Sequence, residues 1–146
     1  MAEALYLADD KATADLGRRI ALSLRPGDVV LLSGDLGAGK TSLARAIVRT
    51  LMNDPDLDVP SPSFALVQPY AGATGPVLHA DLYRLTSERE AEELGLFERD
   101  DAIVLVEWPE NAPSLHKLGT VHISLAVPKE GEGRHASIEL AGEPLR

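Results

Sequence analysis

Residues 34–41, Gly34-Asp35-Leu36-Gly37-Ala38-Gly39-Lys40-Thr41, fit the spacing G-x-x-x-x-G-K-[ST]. The flanks constrain how such a segment folds. Asp28 to Ser33 (DVVLLS) is apolar and β-branched and reads as a buried strand. Ser42 to Met52 has Leu43, Ile47 and Leu51 at four-residue spacing, with Arg45 and Arg49 facing away, which predicts a helix. A glycine-bearing turn from strand to helix brings backbone close to an anion, because glycine takes conformations closed to other residues. Loop N–H groups and the positive end of the helix then face a phosphate. In that arrangement Asp35, Leu36, Gly37, Ala38, Gly39, Lys40, Thr41 and Ser42 surround the phosphates of a nucleotide. Lys40 reaches the β- and γ-phosphates, and the Thr41 hydroxyl ligates Mg²⁺.

The chain has 146 residues, enough for one domain, residues 1–146, with a real core. It has no cysteine, so neither disulfides nor thiolate metal sites are expected. No long apolar run suggests a membrane span, and the acidic N-terminus lacks an export signal, which favours the cytoplasm. The net charge of −9 argues against a free-standing nucleic-acid binder, which usually carries a basic face. Arg45, Arg49, Arg84, Arg89 and Arg99 are scattered and read mostly as solvated surface. Any role near RNA is then expected to run through a partner protein.

The remaining chain reads as alternating short elements. Ala4 to Leu7 is a strand, and Asp9 or Asp10 caps a helix to about Leu24, with Leu16, Ile20 and Leu24 on one face. Arg25 to Asp28 is a turn, and Asn53 to Pro62 is an irregular connection. Ser63 to Tyr70 and Val77 to Tyr83 form an antiparallel hairpin across a turn at residues 71–76. Ser87 caps a short acidic helix, with Glu90 in the capping-box position. Ala102 to Val106 (AIVLV) is a central buried strand. Thr120 to Val127 and Arg134 to Leu140 alternate apolar and polar residues and form a second hairpin. The expected architecture is an α/β, P-loop NTPase-like three-layer domain with a mixed parallel and antiparallel sheet and β-hairpins.

A triphosphate site places acidic residues beside the loop to position Mg²⁺. Glu107 directly follows AIVLV and is the natural carboxylate of that type. Asp81 ends VLHAD, shares a strand face with His79 and Tyr83, and is a second candidate for the metal or the attacking water. His79 alone reads more readily as a hydrogen-bonded structural histidine than as a proton shuttle. Ser63, in Ser61-Pro62-Ser63-Phe64, has two readings: a γ-phosphate-sensing hydroxyl, or part of a rigid Pro-Ser turn. Trp108, the only tryptophan, lies near the nucleotide or packs locally.

Together these segments resemble the bacterial TsaE (YjeE-type) proteins of tRNA threonylcarbamoyladenosine biosynthesis. The resemblance rests on GDLGAGKT at 34–41, SPSF at 61–64, HADLYRL at 79–85 and VEWPE at 106–110, and covers most of the chain. One departure is Ser63, where the family usually has Thr. The resemblance implies an ATP-binding, weakly hydrolysing protein that works with the TsaD–TsaB pair, which attaches threonylcarbamoyl to adenosine 37 of tRNAs reading codons that begin with A. It implies that Lys40 and Thr41 serve phosphate and Mg²⁺, that Asp81 and Glu107 serve the metal and hydrolysis, and that Trp108 lies close to the nucleotide. The chain also lacks an Asn-Lys-x-Asp guanine-reading segment, which favours ATP. Its shortness, with no clear inserted lid, weighs against a small-molecule or nucleoside kinase. A nucleotide-gated adaptor without useful turnover differs from the first reading only in rate.

Overall fold

The computed structural model describes residues 2–140, a seven-stranded sheet covered on both faces. In chain order the elements are β1 (Ala2–Leu7), α1 (Asp10–Ser23), β2 (Val29–Ser33), α2 (Lys40–Leu51), β3 (Val67–Gly72), β4 (Gly75–Asp81), α3 (Glu88–Glu93), β5 (Ile103–Glu107), β6 (Val121–Ala126) and β7 (Arg134–Leu140). Two 3₁₀ turns, Pro109–Asn111 and Pro113–Leu118, follow β5. The strand order is β1-β7-β6-β2-β5-β4-β3. β6, β2, β5 and β4 run parallel, while β7, β1 and β3 pair antiparallel to their neighbours. The expected mixed sheet and both hairpins are present.

Side-chain alternation divides the core into two layers. Val30, Leu32, Ile103, Leu105, Ile123 and Ile138 pack under Leu16 and Ile20 of α1 and Leu43, Ile47 and Val48 of α2. Val29, Leu31, Ala80, Val104 and Val106 pack on the other face against Ala91, Leu96, Ala112 and Leu115. β2 and β5 are buried on both faces, which is why their sequences are continuously apolar. Because four adjacent strands are parallel, their carboxyl ends open on one edge. That edge, next to the start of α2, is where α/β sheets bind ligands.

Three local expectations need correction. The strand expected from Ser63 begins at Val67. The four residues before it turn instead: the Leu66 N–H donates to the Pro62 carbonyl at 2.7 Å, and Leu66 sits at φ 69°. The turn at residues 71–76 narrows to Ala73-Thr74, because Gly72 and Gly75 pair across the hairpin. The capping box at Ser87 does not form: Ser87 makes no side-chain cap bond, and Glu90 instead accepts from the backbone N–H (3.1 Å) and the hydroxyl of Thr86. The first helix follows expectation, with the Asp9 carboxylate accepting from the Ala12 N–H at 2.9 Å.

Arg45 and Arg49 are half-buried rather than solvated. Their Nε atoms donate to the carbonyls of Val59 (3.2 Å) and Leu57 (2.8 Å), so α2 holds the irregular 53–62 connection against itself.

The α1–α2 contact is close enough to require glycine at position 17. A Cβ there would stand 2.5 Å from the Ala46 Cβ and 3.3 Å from Ala46 backbone carbon. Helix propensity alone favours Ala over Gly by about 1 kcal/mol. Overpacking against a neighbouring helix costs about 1–3 kcal/mol. Gly17→Ala should therefore lower the urea midpoint of unfolding; a raised midpoint would show that the helices part without strain.

Candidate nucleotide site

The loop after β2 turns sharply because glycine is required there. Gly34 lies at φ 145°, and a Cβ on it would run into the Leu125 carbonyl of β6. Gly39 caps α2 at φ 103° and offers no side-chain cap. The first-turn N–H groups of α2 are therefore left to an external acceptor, as an anion site requires. Ala38 is fully buried beneath the loop, while Asp35, Leu36 and Gly37 are exposed. Arg134, at the start of β7, donates from a terminal guanidinium nitrogen to the Gly37 carbonyl at 3.0 Å and ties the loop to the second hairpin.

Lys40 folds back over this loop. Its Nζ donates to the Gly34 carbonyl and, at 3.0 Å, to the Asp35 carbonyl, and it stands 4.0 Å from the centre of the Trp108 ring. Burial pushes its pKa below the ordinary lysine value, and the surrounding Glu107, Glu110, Asp81 and Asp35 charges oppose that shift.

Parallel pairing sets Asp81 at the end of β4 directly across from Glu107 at the end of β5. Both are buried, at 5% and 1% exposure. Glu107 Oε1 accepts from the Thr41 hydroxyl at 2.8 Å, and its Oε2 lies 2.6 Å from His79 Nε2. Asp81 Oδ1 accepts from the Tyr83 N–H at 2.9 Å. Burial raises the Asp81 pKa most strongly; Glu107 adds to the rise, and the Tyr83 N–H, His79 and Lys40 oppose it.

Lys40, Thr41, Asp81 and Glu107 line a cleft of about 300 Å³ together with Leu36, Gly37, Gly39, Ser42, Ser61, Ser63, Tyr83 and Trp108, with His79 buried behind them. The structure thus brings together every expected site residue except Asp35 and Ala38, which form the loop's body and do not line the cleft. A larger groove of about 670 Å³ lies elsewhere, between α1, α2 and residues 53–55. Ser63 shares a hydroxyl hydrogen bond with Ser61 at 2.8 Å. Arg84, expected among the scattered surface arginines, stacks over Phe64 at 4.4 Å. Tyr83 was expected on the strand face of Asp81, but β4 ends first; its ring packs at 4.8 Å on Trp108 at the mouth of the cleft. The sequence reading assigned no role to Tyr83, Ser61 or Arg134. Tyr83 follows the Asp81 segment closely enough to have been a candidate. Arg134 is 97 residues from Gly37, and no local pattern signals that contact.

The donor set suits Mg²⁺ shared with phosphate. Among the described residues no three His, Cys, Asp or Glu side chains form a metal cage. Mg²⁺ commonly takes one or two carboxylates and completes its shell with waters and substrate phosphates. Two buried carboxylates and a hydroxyl at the foot of an anion-binding helix match that division.

The raised Asp81 pKa has a definite sign in stability. The folded chain holds that proton more tightly than the unfolded chain does. The stabilisation is complete below the unfolded carboxylate value and is lost as pH rises through the higher folded value. Ionised Asp81 therefore opposes folding at neutral pH. Asp81→Asn keeps an acceptor for the Tyr83 N–H and should raise the melting temperature by a few degrees at neutral pH. The gain should fade below about pH 4, where both states hold the proton. A melting temperature lowered at neutral pH would show that Asp81 is instead held by favourable charge.

Comparison with known proteins agrees with this geometry. The family model described as "Threonylcarbamoyl adenosine biosynthesis protein TsaE" matches residues 7–136. The protein named tRNA threonylcarbamoyladenosine biosynthesis protein TsaE in Rickettsia felis is 37% identical over 129 residues, covering 88% of this chain and 75% of that protein. Its namesake in Streptomyces coelicolor is 36% identical over 136 residues, covering 88% and 90%. That of Nostoc sp. is 37% identical over 142 residues, covering 92% and 83%. The crystal structure of YdiB from Bacillus subtilis superposes with a TM-score of 0.75 at 23% identity, over 97% of this chain and 87% of that one, and bears on the fold. With the family model covering nearly the whole described chain and the phosphate loop in the geometry it needs, the chain belongs to the TsaE family of P-loop, nucleotide-binding proteins.

Proposed function

We propose that this chain binds ATP with Mg²⁺ in the cleft between the phosphate loop and the ends of β4 and β5. It hydrolyses ATP slowly and serves the TsaD–TsaB pair in making N6-threonylcarbamoyladenosine at position 37 of tRNA. It does so in the cytoplasm as one domain, and it meets tRNA only indirectly. The observation that carries this reading is the 2.8 Å bond from Thr41 to Glu107, which joins the phosphate loop to the strand-end carboxylate. Among the described residues no helix is long and apolar enough to cross a membrane.

In this reading the N–H groups of residues 35–42 and the Lys40 ammonium hold the phosphates. Thr41, Asp81 and Glu107 would hold Mg²⁺, which would neutralise charge on the phosphates. Asp81 or Glu107 orients the attacking water. Ser63, beside Ser61 on the cleft wall, faces the γ-phosphate, and Trp108 lies against the bound nucleotide. Slow turnover follows from the arginines: Arg84 stacks on Phe64 and Arg134 holds the Gly37 carbonyl, so neither is committed to the transition state. Partner binding then raises the rate by completing or ordering the site.

Trp108 supplies the readout. Its ring carries the Lys40 ammonium at 4.0 Å, and Lys40 must leave the loop carbonyls to meet phosphate. Trp108 emission should change on adding ATP or ADP, with GDP competing poorly. Lys40→Ala should keep its circular dichroism spectrum and lose about 10- to 100-fold in affinity, as expected for a charge-assisted hydrogen bond worth ~1.5–3 kcal/mol. Wild-type affinity in the folded variant would remove the site. Phosphate release should be slow for the isolated chain and faster with TsaD and TsaB. Fast turnover unchanged by those proteins, or phosphate transferred to an acceptor, would overturn the partner-gated reading.

A further inference from the structure

His79 has no place in the reading above, yet it is the most deeply buried polar side chain of the site, at 0% exposure. On β4 it pairs with Leu105, one pleat deeper than the Asp81–Glu107 pair and on the same face. Its neighbours in register on that face are mostly apolar: Val77 on its own strand and Ile103 and Leu105 on β5, with Gln68 opposite it on β3 the exception. Packing alone would favour leucine or phenylalanine here. Instead, Nε2 reaches diagonally to Glu107 Oε2 at 2.6 Å, while Oε1 of the same carboxylate takes the Thr41 hydroxyl at 2.8 Å. His79 Nδ1 has no partner among the described residues. A proton on Nδ1 would be a buried, unmet donor, so the arrangement favours the Nε2–H tautomer, which donates to Glu107.

We infer that His79 is a positioning residue that fixes the Glu107 carboxylate by its Oε2, so that Oε1 stays turned toward the Thr41 hydroxyl and the cleft. This rests on the reading that Thr41, Asp81 and Glu107 hold Mg²⁺ beside the nucleotide phosphates. Glu107 is 1% exposed and cannot readily replace a lost donor with water. His79 keeps Oε2 satisfied and fixes the plane of the carboxylate. Without His79, Glu107 is held by the Thr41 hydroxyl alone, and its carboxylate can swing out of the orientation in which it would meet Mg²⁺. The expected loss is in coupling between Mg²⁺ and nucleotide, rather than in nucleotide binding itself. Groups that orient a metal ligand typically contribute 10- to 100-fold in metal affinity.

The test is the ratio of ADP affinities with and without Mg²⁺, read from Trp108 emission and by calorimetry, since that ratio measures the coupling between the two ligands. His79→Leu should leave Mg²⁺-free ADP affinity unchanged and cut the ratio by about tenfold. His79→Gln, whose amide still donates, should restore most of it. An unchanged ratio in folded His79→Leu, an equal loss with and without Mg²⁺, or a glutamine variant no better than leucine would overturn the proposal. Should the leucine variant not fold, the wild-type protein still decides. Long-range ¹H–¹⁵N spectra of the nucleotide-free protein should show His79 protonated on Nε2 only. Protonation on Nδ1 alone would overturn the positioning role while leaving the nucleotide site standing. A wild-type chain whose ADP affinity ignores Mg²⁺ would instead fail the underlying metal reading, and this inference with it.

Discussion

A carboxylate as deep as Glu107 costs several kcal/mol unless its oxygens are met, and much of the site follows from meeting them. The donors come from elements far apart in sequence. Thr41 sits in the first turn of α2, and His79 lies inside β4. For both to reach one side chain, β4 and β5 must pair with Asp81 opposite Glu107, as they do. The same requirement sets the rotation of α2 about its axis. With Thr41 turned to the sheet edge, Leu43, Ile47 and Val48 fall on the buried core, and Arg45 and Arg49 reach the 53–62 connection. Function and packing are thus joined in the helix phase.

The phosphate loop is held from the opposite side as well. Gly34 passes so close to the Leu125 carbonyl that no side chain fits, and Arg134 grips the Gly37 carbonyl from β7. Between these anchors and Glu107 the loop has little apolar packing beyond Ala38. It is stabilised instead by Lys40, whose ammonium takes two of the loop's own carbonyls. A phosphate entering the loop therefore exchanges one set of charge-assisted bonds for another. Burial lowers the lysine pKa and raises that of Asp81, so both groups are held against their preferred solvation at the same spot. Sites that later receive charge are commonly tuned this way, and their residues oppose stability in the free protein.

Much of the fold was legible because its strands and helices have strong periods. DVVLLS and AIVLV are apolar on both faces because β2 and β5 are covered on both, and Thr120 to Val127 alternates because β6 buries one face more fully than the other. Which residues would share the candidate cleft was legible where the pattern is local: the loop, Thr41, and the strand-end carboxylates. What escaped was set by tertiary contact. Ser63 to Leu66 carries no polar interruption strong enough to forbid a strand, yet the chain turns there because Leu66 adopts a left-handed conformation. The Glu90 capping box is a sound pattern in which the carboxylate is taken mainly by the N–H and hydroxyl of Thr86. His79 looked structural on its own; only the diagonal across two strands shows which carboxylate it meets. Arg45 and Arg49 looked solvated because nothing in the sequence folds residues 57 and 59 back over α2.

Strained backbone marks the segments that adjoin the two carboxylates. Leu66 and Trp108 both lie in the left-handed region, at φ 69° and 59°, where bulky side chains are rare. Such residues persist when their surroundings over-determine them. The Leu66 carbonyl accepts the Asp81 N–H at 2.9 Å, and the Trp108 N–H donates to the Leu32 carbonyl at 3.3 Å. Each unusual residue thus supplies a backbone bond at or beside a carboxylate of the site. Trp108 then projects its ring over Lys40 rather than continuing the strand, and Pro109 begins a 3₁₀ turn that leads the chain away from the cleft. A regular continuation of β5 would alternate Trp108 to the face opposite Glu107 and away from the loop. The left-handed turn breaks that alternation, which lets consecutive residues, Glu107 and Trp108, line the same cleft.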